Sequence, residues 1–570
     1  MKKAAYFEKL ESAKNWLDLE TKTFSENCKV QMKEIISLIK QQFNVNFQSI
    51  QSLEQNIIVN EQQSETREID SFIYDYDQKR FISTKFEINL TKNKEVIYIK
   101  DGSILRVDQP KNFQWEKDVM RNIEQITNLQ WEGDYDENNK KIGKWTASFK
   151  NVKDIGGYYN DDGKKQGKWK EIFQNYWSQI IAYEVGEYLD DQRIGIWKYN
   201  FQEKDMGGGE YNQIGQKQGK WVELSIYTSF VSQVTYHGEY GMNGQKKGKW
   251  EIKYDGQKIG GGSYEEQEGI SKKSGKWIEF IDGFTDNYQI TFNGEYNKKG
   301  EKKNQWEIQS KRKAAIFSTS NQIGGGWYGD LEGASNKIGK WIEIREGVND
   351  STKLTYNGEY SMKGQKMGKW DIFYKGKQIG GGKYEEQEGG SKKIGQWIDL
   401  RDGFFNKSQI IYKGEYNNKG EKKGRWDTLY CFAGEKEYQI IGGGQYDEQV
   451  NGSKKFGEWI DIWECFGQNR EVTYQGQYNM KGQKKGKWDI LFREQRENEA
   501  IIIGGGQYEE QDGGSRKVGM WIEISDEFRS NNQIAYSGEY DTTGKKIGTW
   551  NQIEQKANLF GSKRLSKITK

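Results

Sequence analysis

The sequence predicts a mainly β protein: an elongated antiparallel array of β-hairpin repeats, one layer thick, preceded by a helical N-terminal segment. Three observations carry this. A unit that opens with Gly-x-Tyr and closes with Gly-Lys-Trp, or a near variant, recurs from about Gly133 to Trp550. Fifteen copies are counted by their closing residues, Trp145, Trp169, Trp197, Trp221, Trp250, Trp277, Trp306, Trp341, Trp370, Trp397, Trp426, Trp459, Trp488, Trp521 and Trp550. The composition is that of a thin aromatic sheet: 14% Phe, Trp and Tyr, 68 glycines, a single proline, and only 34% hydrophobic residues. Too many aromatics for disorder and too few aliphatics for a thick core leave a Tyr/Trp ladder as the hydrophobic element.

Each unit reads as two strands. Gly238-Glu-Tyr240 and Gly248-Lys-Trp250 are short aromatic runs separated by Gly241-Met-Asn-Gly-Gln-Lys-Lys247. That pattern suits a hairpin, with Gly244 supplying a positive φ in the connection. Two lengths alternate from Trp250 onward. The short form closes at Trp250, Trp306, Trp370, Trp426, Trp488 and Trp550; the long form closes at Trp277, Trp341, Trp397, Trp459 and Trp521. Every long form here starts with three glycines, as at Gly260–Gly262 and Gly380–Gly382. The true repeat is therefore a pair of hairpins, and its variable length falls in connectors, where extra residues cost little. The expected core is one face of Tyr and Trp, sampled by Tyr240, Trp250, Tyr264, Trp277, Tyr296, Trp306, Tyr360 and Trp370.

The unit resembles the MORN repeat (membrane occupation and recognition nexus), and its Gly-Lys-Trp ending is similar to the MORN-variant repeat of YwqK-like bacterial antitoxin proteins. The resemblance covers about Gly133 to Trp550. It implies a hairpin solenoid, and a scaffold, a membrane-surface protein or an antitoxin-like binding protein. The chain departs from the common MORN unit in its longer connectors, and Trp stands where that unit usually has a second Gly.

Residues 1–62 read as helix. Met32, Ile36, Ile39, Phe43, Phe47, Ile50, Leu53 and Ile57 recur every three or four positions and form a seam long enough for a coiled coil. Packing on the same chain is the competing use of that face. These residues are the expected partner contact or self-association surface. Residues 70–132 read as a diverged β capping region, because terminal repeats are atypical. Within it, Glu95–Lys100, Asp101-Gly102 and Ser103–Val107 form a hairpin signal; residues 117–128 lean to helix. The tail, 551–570, is polar and basic.

No catalytic, metal or cofactor residues are expected. His237 is the one histidine, and the same place in other units holds Asn293, Asn357, Lys413 or Gln475. Gly248-Lys249 leads into Trp250 and a strand, not into the helix that a phosphate loop requires. Glu265-Glu266 and Glu385-Glu386, read as loop residues beside Lys272-Lys273 and Lys392-Lys393, suit solvated charge better than acid–base work. A net charge of +3, from 87 basic and 84 acidic residues, gives no drive toward nucleic acid. Cys28, Cys431 and Cys465 form no Cys-x-x-Cys pair, so a reducing, cytoplasmic compartment is expected. The start of the chain lacks the apolar run of a signal peptide, and no run of about 18 apolar residues occurs.

Lys246, Lys302, Lys366, Lys422 and Lys484 recur at one place in the short unit. They are expected to line one edge of the sheet, for solubility and edge protection, or as a row facing an acidic polymer or, as the MORN resemblance implies, an anionic lipid surface. The reading is a non-enzymatic scaffold for protein partners, attached or oligomerised through residues 1–62. The alternative is a protein of anionic membrane surfaces or an antitoxin-like binder. Sedimentation of the full chain against one lacking residues 1–62 should show the larger particle only with the segment present; equal monomeric masses would rule out self-pairing.

Overall fold

The computed structural model describes residues 65–75, 80–109, 119–554 and 566–567, apart from short stretches of which 312–320 is the longest. The seam from Met32 to Ile57 and the coiled coil expected there lie outside the described residues, as does most of the basic tail. The chain divides into two compact units, Met1–Glu65 with Leu90–Asn93, and Thr66–Asn89 with Lys94–Lys570. The described elements belong almost entirely to the second.

Its main body is one antiparallel sheet of thirty strands, from β5 (Leu129–Tyr135) to β34 (Lys546–Glu554), each paired with the next in the chain. The sheet is open. Before it, β1 (Glu65–Asp75), β2 (Arg80–Leu90), β3 (Val96–Lys100) and β4 (Ser103–Asp108) form their own four-stranded sheet in chain order. β3 and β4 meet at Asp101-Gly102, whose φ values of 49° and 76° are those of the tight hairpin turn the dipeptide favours. A short helix, α1 (Ile123–Asn128), joins the two sheets, capped by Asn122, whose side chain accepts from the Gln125 amide at 3.1 Å.

One module fixes the rest. β13 (Val234–Tyr240) and β14 (Lys246–Tyr254) make a short unit; β15 (Gln257–Gln267) and β16 (Ile270–Phe280) make a long one. Tyr240 opposes Lys246 and Glu239 opposes Lys247, but His237 opposes Glu251, so Gly248, Lys249 and Trp250 bulge opposite Gly238. The bulge needs a left-handed residue. Gly248 supplies it at φ 61°, and thirteen other glycines at this place lie between 60° and 69°. The fifteenth unit uses Asn304 at 59°, and asparagine is among the few other residues that accept this conformation.

A second glycine explains the packing. At Gly238 an added Cβ would fall well under 3.0 Å from the ring atoms of Trp250, so the indole lies flat on the glycine. The same pairing holds in all fifteen units, including Gly262 with Trp277, Gly294 with Trp306 and Gly358 with Trp370. The triple glycine of the long unit has a distinct use for each member. Gly260 abuts the Ile278 carbonyl, Gly261 (φ 122°) abuts the Trp250 carbonyl, and Gly262 underlies Trp277.

The predicted Tyr and Trp do share one face. From Tyr135 to Trp550 they form a single file of alternating rings, edge to face, with neighbouring centroids 5.0–6.3 Å apart and planes at 73–90°. Such contacts contribute roughly 0.5–1.5 kcal/mol each beyond burial. Beside the file lie satellite aliphatic clusters that were not expected. Leu354, Ile372, Tyr374 and Phe404 form one; Val472, Ile490, Ile503 and Phe528 belong to another.

The long unit corrects the sequence reading in one respect. Its extra residues are not loop: they extend both strands. Tyr264 opposes Lys273, Glu265 opposes Lys272 and Glu266 opposes Ser271, so the acidic and basic pairs read as loop charge face each other across a ladder.

These contacts predict a graded response. Trp306→Ala should cost about 3–5 kcal/mol and raise amide exchange in the adjacent strands first. Gly294→Ala, which drives a methyl into the Trp306 ring, should cost about 3 kcal/mol. Gly248→Ala, with open space around its Cβ, should cost only the left-handed penalty of about 1–2 kcal/mol. Equal melting shifts for the two glycine variants would contradict this assignment.

Candidate functional site

The aromatic face also carries the chain's ordered charge. Fifteen cations, each four residues before a closing Trp, lie over the indoles at 3.9–4.7 Å from the ring centroid: Arg193 over Trp197, and lysines over the other fourteen. The row Lys246, Lys302, Lys366, Lys422 and Lys484 is therefore not an edge. It covers one face of the sheet, together with the long-unit lysines such as Lys273 and Lys337. The physical reason is alternation: residues four apart on one strand emerge on the same side, and the bulge between them shifts the register by two and keeps that side. Each stacked cation contributes on the order of 0.5–2 kcal/mol, more as water is excluded.

Seven carboxylates complete the pattern: Glu171, Glu223, Glu279, Glu343, Asp399, Asp461 and Glu523, each two residues after the closing Trp of a long unit or its earlier counterpart. Each takes the lysine of its own strand. The hydroxyl of the next tyrosine donates to it, as Tyr240 does to Glu223 at 2.6 Å and Tyr360 to Glu343 at 2.7 Å. The glutamates reach one cation further: Lys246 pairs with Glu223 at 2.7 Å, Lys302 with Glu279 at 3.0 Å, Lys366 with Glu343 and Lys546 with Glu523, both at 2.9 Å. Burial alone would raise these carboxyls; the two lysine charges outweigh it and hold Glu223 down at about 2. Burial, with the neighbouring carboxylate, pushes the Tyr240 and Tyr360 phenols far above their usual range.

The first sheet touches this face near the array's end. Lys517 N donates to Gly102 O at 3.1 Å, Ile104 N to Gly544 O at 3.0 Å, and Tyr508 Oη to Asp101 O at 3.0 Å. Ser103 Oγ lies 3.2 Å from Tyr540 Oη. Lys100 bonds Glu464 at 2.7 Å. Lys100, then Lys484 and Lys517, hold the Asp101 carboxyl well below the usual range. A cavity of about 1440 Å3 remains on this face, and a second of about 650 Å3 lies further back, beside Arg401, Tyr412 and Lys422.

The predicted core residues Tyr240, Trp250, Tyr264, Trp277, Tyr296, Trp306, Tyr360 and Trp370 all stand in the ring file. His237 lies apart from it, its ring nitrogen 2.9 Å from Thr235 Oγ1. Among the described residues no group of three or more His, Cys, Asp or Glu could hold a metal ion. The seven carboxylates were missed in the sequence. A signal exists: long units read Trp-Ile-Glu or Trp-Ile-Asp, whereas short units such as Trp250-Glu-Ile252 and Trp370-Asp-Ile372 reverse the order. That one-place inversion swaps which residue faces the rings. No family model matches the chain, and no curated protein matches it.

The carboxylate pairs predict acid sensitivity. Glu223 is depressed relative to an unfolded glutamate near ~4.3, so its contribution is complete above that pH and is lost as pH falls toward 2. Glu223→Gln should lower the melting temperature at pH 7 and flatten the decline between pH 4 and 2. An unchanged acid limb in the variant would contradict this.

Proposed function

We propose that the protein is a non-enzymatic scaffold whose ring-and-charge face binds polypeptide segments of protein partners, with residues 1–62 as the point of attachment or oligomerisation. The observation that carries this reading is the chain's own Asp101-Gly102 turn. It lies on that face through two backbone hydrogen bonds and through side chains of three different units, Lys484, Tyr508 and Tyr540. A surface that accepts one hairpin turn by general backbone contacts and a charged anchor has the means to accept another. The periodic design supports the same reading, since the same Lys-Trp-Tyr-carboxylate arrangement returns along the array, whereas catalysis calls for one chemically distinct place. Cys431 is free, and both it and Cys465 are buried, which fits a reducing compartment.

A membrane-surface role is disfavoured by the ion pairs. Lysines such as Lys246, Lys302, Lys366 and Lys546, which would face anionic lipid, are stacked on indoles and already bonded to carboxylates, so a lipid headgroup would have to displace a partner in place. The full chain should therefore stay in solution with phosphatidylserine vesicles at physiological salt while retaining protein partners in affinity capture. Co-sedimentation with the vesicles, with no protein captured, would overturn the scaffold reading.

A further inference from the structure

Two of the seven carboxylates are aspartates, and the shortening has a consequence. Asp399 bonds Lys393 and the Tyr416 hydroxyl, and Asp461 bonds Lys455 and the Tyr478 hydroxyl, as the glutamates do with their nearer partners. Neither makes the second ion pair that a glutamate makes with the lysine of the following unit. The two lysines so released are Lys422 and Lys484.

Lys484 finds another acid. Asp101, from the docked turn, places its carboxylate 3.9 Å from the Lys484 ammonium. Lys422 has no carboxylate within ion-pair distance among the described residues, and its contacts are with the rings of Tyr412, Trp426 and Tyr446 at 5.5, 4.1 and 5.4 Å. The acids around it are already engaged: Asp399 as above, Asp402 by Arg345, Glu464 by Lys100 and Thr84. Lys422 lines both the 650 Å3 and the 1440 Å3 cavity, so the place where a glutamate head would sit opens onto free volume.

We propose that Lys422 is the anchor of a peptide-binding site, and that it takes the carboxylate of an aspartate or glutamate side chain from a partner segment lying in the 650 Å3 cavity. The molecule supplies its own precedent. Of the two lysines deprived of a glutamate, one is met by an acidic residue at a hairpin turn from a distant part of the chain, and the other stands ready for the same group. The ammonium supports this: burial, opposed in part by the Asp399 charge and reinforced by Lys455 and Lys393, brings Lys422 down to about 8, so a bound carboxylate would relieve a destabilised charge. The site rests on the scaffold reading and gives it a ligand chemistry, an acidic turn.

The test reads Lys422 directly in the full chain. Lysines are 13C-dimethylated and the Lys422 resonance is assigned by its loss in Lys422→Arg. The probe is an octapeptide with the sequence of residues 97–104, Ile-Tyr-Ile-Lys-Asp-Gly-Ser-Ile, beside its Asn-for-Asp counterpart and sodium acetate. Lys422 should titrate near 8 in the free protein. Excess Asp peptide should raise its midpoint by about one pH unit, a tenfold preference for the charged amine, and the Asn peptide should leave it in place. Asp399→Glu restores the missing head group; it should raise the midpoint without peptide and abolish the peptide response. Equal effects of the two peptides overturn the proposal, as does a peptide response surviving in Asp399→Glu. A shift with acetate and none with peptide assigns the site to free carboxylates and overturns the partner segment. A free protein in which Lys422 already titrates near 10 shows that the chain fills the site itself, and this too overturns the proposal. Loss of the Lys422 response with partner capture intact sinks only this site; loss of capture sinks the scaffold.

Discussion

An indole lying flat on a glycine is the contact on which the molecule depends. The ring can sit there only because no Cβ stands in its way, and it is held at that height by the left-handed bulge three residues into the same strand. From that placement the rest follows. The ring presents its edge to one tyrosine and its face to a cation four residues earlier, and its Nε1 donates to a neighbouring carbonyl, as Trp306 does to Glu295 at 3.3 Å. Repeating the contact fifteen times builds a hydrophobic layer without thick aliphatic packing.

The charges on that layer are arranged by length as well as by sign. A glutamate two places beyond an indole spans two lysines; an aspartate at the same place serves one. A difference of one methylene, invisible to any count of net charge, thus decides where the face is self-neutralised and where a cation is left over. Buried pairs of this kind give little net stability against an apolar alternative, but they fix which group meets which. Here they keep a strongly aromatic sheet in one register.

Much of this architecture was legible in the sequence. Periodic Gly, Tyr and Trp identify the hairpins, the two alternating lengths identify the module, and Asp101-Gly102 identifies the β3–β4 turn, because each of these is a local constraint on backbone shape. The glycine triplet was readable as packing, though not as three separate contacts, since two of its carbonyl neighbours, on Trp250 and Ile278, belong to other strands. The lysine row was misplaced because a charged residue was read as solvent-facing, although its four-place spacing from Trp puts it on the side of the rings. Asp399 was not singled out, and Lys422 was read only as one member of the row: their meaning lies in a comparison with Glu343 and Lys366, not in their own surroundings.

The docked turn also sets a clock. Tyr508 and Asp101 meet across 407 positions of chain, whereas the hairpins between them pair only with their neighbours. On a ribosome adding roughly 5–20 residues per second, about 20–80 s separate the synthesis of the two sides of that contact. The strands of the array can form one after another during this interval, while the β3–β4 turn waits without its seat. Its seat is finished only when the last units have left the tunnel, so the contact is a late event, made between parts already folded, and a chain released early lacks it.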